Sequence, residues 1–328
     1  MIKTIKYEEN LNLKTGNYYS NMPNDIYHGI KEVISKSSLC EFYQSPFKFF
    51  NKIDKEPTKA MKVGTALHSA TLEPELFDKE YCVEPFWDDY LTSEAAMKSW
   101  LKERGIVIKG ITKLSQLEIA AKIYEADISS KIKCTEELAF ELSNQGKERL
   151  KPDTQTLIDG MKSALYGNDD ARKYLDADGF CEVSGFSKDK ETGILCKHRF
   201  DKLAFVDGMA FGIDVKKTQD VSDRALSSAI AKYSYHVQAA FYSDQYEVIT
   251  GNKLDGFVFL FVEESFPHEV RVVELDDLSI EIGRKQYKEM LSLFAKYQSG
   301  EIVAHNNEST RIISLPEYLL SQYENEIY

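Results

Sequence analysis

The sequence has 328 residues, 43% hydrophobic and 29% charged, a balance that excludes a disordered or low-complexity chain and suits a folded one. No run of about 18 apolar residues is present, so no membrane helix is expected, and the polar opening MIKTIKYEEN lacks the apolar core of a signal peptide, which predicts a cytoplasmic protein. The net charge of −12 gives no general affinity for nucleic acid, but it is uneven. Residues 251–328 carry 14 Asp/Glu against 7 Lys/Arg, whereas residues 1–60 carry 9 Lys/Arg against 7 Asp/Glu, and a local basic groove is compatible with that distribution.

In chain order, residues 1–33 read as irregular structure rich in Asn and Tyr. Ser35 or Ser37 can cap a helix that carries Leu39, Phe42 and Tyr43 on one face, and Pro46 can open a second short helix, FKFFNKI. A further helix is expected over residues 59–72. Residues 91–175 resemble several amphipathic helices punctuated by Gly105, Gly110, Gly160 and Gly167. Near Gly179 the pattern becomes strand-like: CEVSGF, ILCKHRFDKLAF and MAFGIDVKKT are short and rich in β-formers. A long helix is predicted from Ser222 to about Thr250, ended by Gly251-Asn252. Two strands split by Phe266-Pro267 follow, then a helix over about residues 278–298. A hairpin followed by a strand–helix–strand unit implies a mixed sheet with helices packed on it. The five cysteines, Cys40, Cys82, Cys134, Cys181 and Cys196, never form a C-x-x-C pair and read as free thiols.

The chemistry concentrates in residues 199–218, RFDKLAFVDGMAFGIDVKKT. Asp207-Gly208 between two apolar runs is a two-residue hairpin turn. Paired positions then sum to 415, the value for Val206 with Met209, and Asp201 with Asp214 gives the same sum. Directly opposed residues share a face, and Lys216 joins them through the two-residue alternation of a strand. Opposed carboxylates repel, so a hard divalent cation is their natural companion. A lysine beside them can stabilise charge on a phosphoryl oxygen or orient water. Taken alone, such a set also fits a solvated hairpin whose charges pair with neighbouring side chains.

Asp201…Asp214-Val215-Lys216 resembles the PD-(D/E)XK nuclease signature, with Phe200 where that signature has proline. More specifically, the chain resembles RecE-type exodeoxyribonuclease VIII and its phage relatives. The resemblance rests on ISKSSLCEFYQSPFKFF (34–50), VGTALHSATLEPELF (63–77), FCEVSGF (180–186), CKHRFDKL (196–203), DVKKT (214–218) and YSYHVQAAFYSDQY (233–246), in the family's order.

This resemblance implies an α/β (α+β) restriction-endonuclease-like fold: a mixed sheet flanked by helices, with a large helical N-terminal elaboration. The expected organisation is one nuclease domain over 1–328, with a mainly helical part at 1–178 including the His68 helix, the core at 179–300 and a tail at 301–328. The resemblance further implies that His68, Asp201, Asp214 and the Val215 carbonyl bind metal, with Lys216 catalytic and Glu182 binding a second metal or orienting water. Judged by itself, His68 reads as an ordinary helix histidine and Glu182 as a surface strand residue. Tyr235, Gln238 and Tyr242 share one helix face; the resemblance turns Gln238 and Tyr242 toward the site. Arg199 and Lys217, with Lys188, Lys190 and Lys197, are candidates for a basic DNA-contacting surface. The implied activity is Mg²⁺-dependent hydrolysis (Mn²⁺ as substitute) from ends of linear duplex DNA, 5′ to 3′. The expected setting is a ring-like homo-oligomer that works with a single-strand annealing recombinase in a bacterium, phage or prophage. The competing readings are an endonuclease of the same fold, a non-catalytic DNA-end-binding or loading protein, and a helical interaction protein with a coincidental D…D-x-K.

Overall fold

The computed structural model describes residues 3–9, 11–53, 56–304, 310, 312–317 and 320–321; the rest of the expected 301–328 tail lies outside the described residues. Strands are β1 (Thr4–Lys6), β2 (Asn17–Ser20), β3 (Tyr81–Val83), β4 (Glu148–Leu150), β5 (Asp178–Lys188), β6 (Leu195–Val206), β7 (Met209–Thr218), β8 (Gly256–Glu263) and β9 (Val270–Glu274). Seven form one mixed sheet in the order β1-β2-β5-β6-β7-β8-β9, and β3 pairs with β4 in a separate parallel ribbon. The main sheet is antiparallel except at β1/β2 and β7/β8. The helices between β7 and β8 form the crossover that a parallel pair requires.

Alternation along β8 shows how the sheet acquires two buried faces. Val258, Leu260 and Val262 join Ile213 and Val215 of β7 in a core with Val63, Ala66, Leu67 and Ala70 of the Lys59–Leu72 helix and with Ile158, Met161 and Leu165 of the Pro152–Gly167 helix. Phe257, Phe259 and Phe261 point the other way, toward Phe200 and the Tyr235–Thr250 helix. Burial of each of these phenylalanines contributes about 1.5–3 kcal/mol. The Lys36–Gln44 and Asp277–Gln298 helices pack outside the Tyr235–Thr250 helix through Leu39, Val237, Phe241, Tyr287 and Leu291. Residues inserted between β3 and β4 enclose a small core of their own around Met97, Leu101, Ile119 and Ile123.

The hairpin turn forms as expected, with φ of 50° at Asp207 and 80° at Gly208, the two positive values of a type I′ turn. The helix over residues 59–72 is present as Lys59–Leu72, and the cysteines are free. Three expectations differ. Residues 1–33 are not irregular throughout: β1 and β2 extend the main sheet, and Asn24–Gly29 is helical. These strands are too short to show periodicity; the edge of β5 pairs with β2, and β2 with β1. The predicted long helix from Ser222 is two helices, Asp223–Lys232 and Tyr235–Thr250, separated at Ser234, whose φ is 55°. Gly160 lies inside a helix and does not punctuate one. A Cβ there would sit 2.4 Å from Nε2 of His268, so it serves close approach.

Gly283 plays the same part between helices. A Cβ at this position would lie 2.3 Å from the His236 carbonyl oxygen, and backbone cannot swing aside as a side chain can. Gly283→Ala should therefore lower the unfolding free energy by about 1–3 kcal/mol, seen as a reduced urea midpoint at unchanged slope.

Candidate active site

The site forms where the central ladder is interrupted. Pairing between β6 and β7 runs from Val206–Met209 to Lys202–Ile213 and stops there, keeping the derived register up to the residue before Asp201 and Asp214. Between β5 and β6 the ladder pairs Cys181 with Lys202 and Val183 with Phe200 but skips Glu182 and Asp201. Glu182 itself has φ of 46°, a left-handed conformation costly for a residue with a Cβ. Three carboxylates on three neighbouring strands thus sit level with one another at the point where the strands part.

The parting frees the Val215 main chain for other partners. Val215 N–H donates to Asp201 Oδ2 at 2.8 Å, and His68 Nε2 lies 2.8 Å from the Val215 carbonyl oxygen. A carbonyl only accepts, so Nε2 carries the proton and donates in this state. The same nitrogen is 3.6 Å from Asp201 Oδ2, and His68, Glu182 and Asp201 each offer a ligand atom within 4.8 Å of the others. Adjacent ligands on an octahedral ion with bonds of about 2.0–2.1 Å stand about 3 Å apart. The 3.6 Å between His68 and Asp201 approaches that spacing, and two carboxylates with an imidazole suit a divalent cation once Nε2 gives up its proton and the three ligands draw together.

Asp214 and Lys216 occupy the opposite side of the parting, beneath the Tyr235–Thr250 helix. Asp214 is 2% exposed. Gln238 Nε2 donates to its Oδ1 at 2.5 Å, and Lys216 Nζ stands 2.5 Å from its Oδ2. Burial pushes the Asp214 carboxyl above the usual range, against the pull of Lys216. Burial alone would weaken the Lys216 ammonium, but the Asp214 and Asp201 carboxylates outweigh it and raise the pKa. Lys216 is thus held as a cation, with Nζ 5.4 Å from the centre of the Tyr235 ring. A lysine so held can stabilise negative charge.

Glu182 is pushed up to about 8 by burial and then by Asp201, with Arg199 pulling the other way. Two carboxyls with raised pKa values beside a third carboxylate describe a cluster short of positive charge.

A family model described as a PDDEXK-like domain of unknown function matches residues 35–314. The chain belongs to this PDDEXK-like family. Among solved structures, a candidate exonuclease from Eubacterium rectale aligns over 92% of this chain and 98% of its own, with TM-score 0.52 and 12% identity. At that identity the likeness concerns the fold, which is the α/β PD-(D/E)XK fold with its mixed sheet. The protein SSO0001 aligns over 70% of this chain and 86% of its own at 13% identity, with a TM-score of 0.25 too low to carry an argument. No curated protein sequence matches the chain significantly.

Against this PDDEXK-like core, other expected site residues lie apart from an open DNA-contacting surface. Arg199, 8% exposed, donates from Nε to Ser184 Oγ at 2.8 Å, from Nη1 to Asn24 Oδ1 at 2.5 Å and from Nη2 to the Met22 carbonyl at 2.9 Å. With Nη1 only 3.8 Å from Glu182, it holds the N-terminal segment and steadies that carboxylate. Lys197 donates to the Tyr27 and Ile30 carbonyls, both at 2.6 Å. Lys217 is paired with Glu264. The Tyr242 ring packs against His198, Phe200 and Phe257, an aromatic cluster behind the carboxylates. One neighbour of the site that the sequence gave no reason to single out is Lys36, whose ammonium lies 5.8 Å from the Tyr235 ring centre.

A carboxyl must ionise before it binds a cation. Divalent affinity should therefore rise with pH through about 8, and Glu182→Gln should flatten the rise. Calorimetric Mn²⁺ titrations on either side of that pH check this, and an unchanged slope in the variant would assign the proton elsewhere. The metal-free protein should show the linked effect: the raised Glu182 pKa favours folding at low pH, and that contribution is lost as pH climbs through about 8.

Proposed function

We propose that this PD-(D/E)XK protein is a Mg²⁺-dependent exodeoxyribonuclease that hydrolyses phosphodiester bonds from the ends of linear double-stranded DNA. The observation that carries the reading is the convergence at the parted strands. His68, Asp201 and the Val215 carbonyl meet on one side, and the Asp214–Lys216 pair on the other. His68, Glu182 and Asp201, with the Val215 carbonyl, are the residues to hold the cation; the resemblance adds Asp214, which here is paired with Lys216 and Gln238. When bound, Mg²⁺ supplies Lewis-acid polarisation of a phosphoryl oxygen and a more acidic water.

The protein's own groups do the rest. Gln238 fixes Asp214 by its hydrogen bond, and Arg199 steadies Glu182. Lys216, kept protonated, places positive charge against the oxygen on which negative charge grows during attack. Water adds its oxygen to phosphorus as the P–O bond to the leaving nucleotide breaks, and the leaving oxygen takes up a proton.

Action at ends, 5′ to 3′ polarity, Mn²⁺ substitution, a ring-like homo-oligomer and a single-strand annealing partner rest on the resemblance to RecE-type enzymes. A ring accommodates the charge balance, with an acidic exterior around a locally basic channel. The cytoplasm of a bacterium, encoded by the host, a phage or a prophage, is the corresponding setting; among the described residues no helix is long and apolar enough to cross a membrane.

End-labelled linear duplex should be degraded with Mg²⁺ and remain intact without it, while closed circular duplex survives. Cutting of the circle would convert the reading to an endonuclease, and DNA binding without cleavage to a loading protein. Asp214→Ala should abolish cleavage while leaving the far-ultraviolet circular dichroism unchanged.

Lys216→Ala should retain DNA and metal binding but lower kcat by on the order of 10²–10³, the usual cost of removing a preorganised transition-state donor. Single-turnover rates on prebound DNA check it; normal cleavage of bound DNA with reduced affinity would make Lys216 a phosphate clamp.

A further inference from the structure

The segment ISKSSLCEFYQSPFKFF (34–50) belongs to the sequence resemblance, yet the nuclease reading assigns it no task. Its first residues lie at the parted strands. Ile34 N–H donates to the Leu195 carbonyl at 2.9 Å, and Lys197 N–H donates to the Ile34 carbonyl at 2.8 Å. Since Cys196 is paired with Ser187 of β5 on its other side, Ile34 occupies the edge of β6 that β7 has left. Ser35 then caps the Lys36–Gln44 helix, accepting from Ser38 N–H at 3.2 Å.

Lys36 follows directly, 8% exposed. Its ammonium donates to the Tyr233 carbonyl at 2.7 Å and stands 5.8 Å from the centre of the Tyr235 ring. Lys216 approaches the same ring to 5.4 Å. No carboxylate pairs with Lys36 among the described residues. A buried ammonium without a counter-ion is unfavourable, so its retention calls for a use. Its carbonyl partner lies at the break between the Asp223–Lys232 and Tyr235–Thr250 helices, next to left-handed Ser234. A non-glycine residue keeps that conformation only where its surroundings hold it. The second helix has no side-chain N-cap; Lys36 binds the carbonyl just before its start, and Cys40 of the same Lys36–Gln44 helix bonds Ser234. From that start Tyr235 reaches Lys216, and three residues later Gln238 reaches Asp214.

We propose that Lys36 is a positioning residue for the Asp214–Lys216 pair: it pins the Tyr233 carbonyl and thereby sets the helix start from which Tyr235 and Gln238 hold that pair in place. The inference rests on the nuclease reading. Lys36 acts through the helix, since its ammonium is directed at backbone and is nearly closed to solvent. A misplacement of about 1 Å in reacting groups can cost on the order of 10²-fold in rate.

The test uses the full chain, prebound end-labelled linear duplex and saturating Mg²⁺. Lys36→Met keeps the length and removes the charge and donors. Its single-turnover rate should fall by about 10- to 100-fold, with DNA affinity within about threefold of the wild type, because Lys36 is directed at backbone and not at DNA. Lys36→Arg should recover most of the rate. Lys36→Met combined with Gln238→Ala should cost little more than Gln238→Ala alone, because both act through Asp214. If Lys36→Met does not fold, Tyr235→Leu, which removes the ring between the two ammonium groups, should give the same loss of rate at unchanged affinity. An unchanged rate, additive losses in the double variant, or weaker DNA binding with normal cleavage would each overturn the proposal; the last would make Lys36 a phosphate contact. Wild-type protein inert toward DNA in Mg²⁺ would instead sink the nuclease reading itself, and this inference with it.

Discussion

The separation of β6 from β7 beyond Lys202 and Ile213 governs the rest of the site. The two strands are paired from Val206–Met209 to Lys202–Ile213 and part where Asp201 and Asp214 would come next. The parting gives Val215 a main-chain N–H and a carbonyl that the β6 ladder would otherwise have taken. Asp201 receives the first and His68 meets the second. On its far side β7 remains paired with β8 through Thr218–Glu263, so the separated strand stays rigid. The result is a cleft with polar walls inside a sheet whose two faces are otherwise closed by hydrophobic packing.

Buried cations on β6 hold the surrounding pieces in register. Lys197 and Arg199 fasten the segment around Met22–Ile30, and Lys202 donates to the Leu175 carbonyl at 2.5 Å. Lys197 and Lys202 satisfy their ammonium groups with backbone carbonyls, and Arg199 its guanidinium with Ser184, Asn24 and the Met22 carbonyl, which keeps a buried charge tolerable. Burial still tells on them: the Lys197 ammonium is drawn down to about 8 by desolvation, with Arg199 adding to the effect and Glu32 opposing it. The cost falls on β6, the strand that carries Asp201, and it brings the short N-terminal strands onto the sheet beside Glu182.

Electrostatics on the two sides of the parting differ in kind. Asp214 has an ammonium and an amide, so its charge is answered within the protein. Glu182 has one guanidinium at a distance and three acidic neighbours, Asp201, Glu73 and Asp214, that oppose its ionisation. The side bearing His68, Glu182 and Asp201 is therefore the one with capacity for added positive charge, while the Asp214–Lys216 side is poised to supply it.

The residues of the β6–β7 hairpin determined much of this without tertiary information. Asp207-Gly208 set the turn, and the turn set the register as far as Lys202–Ile213, because both relations are local along the chain; the direct opposition of Asp201 and Asp214 that the same register extends to is not formed. A cap at Ser35 or Ser37 and one at Ser222 were legible for the same reason. What tertiary structure alone decided depends on partners distant in sequence. Glu182 is left-handed where its pairing with β6 skips a position, and His68 reaches Val215 because its helix packs across the sheet. The helix break at Ser234 has no Gly or Pro to announce it; a lysine almost two hundred residues earlier binds the carbonyl beside it. Arg199 and Lys197 read as surface cations from composition, yet the N-terminal segment folds over them and offers the carbonyls that make their burial bearable. A sequence states which groups are available to bond, and the packed chain decides which of them meet.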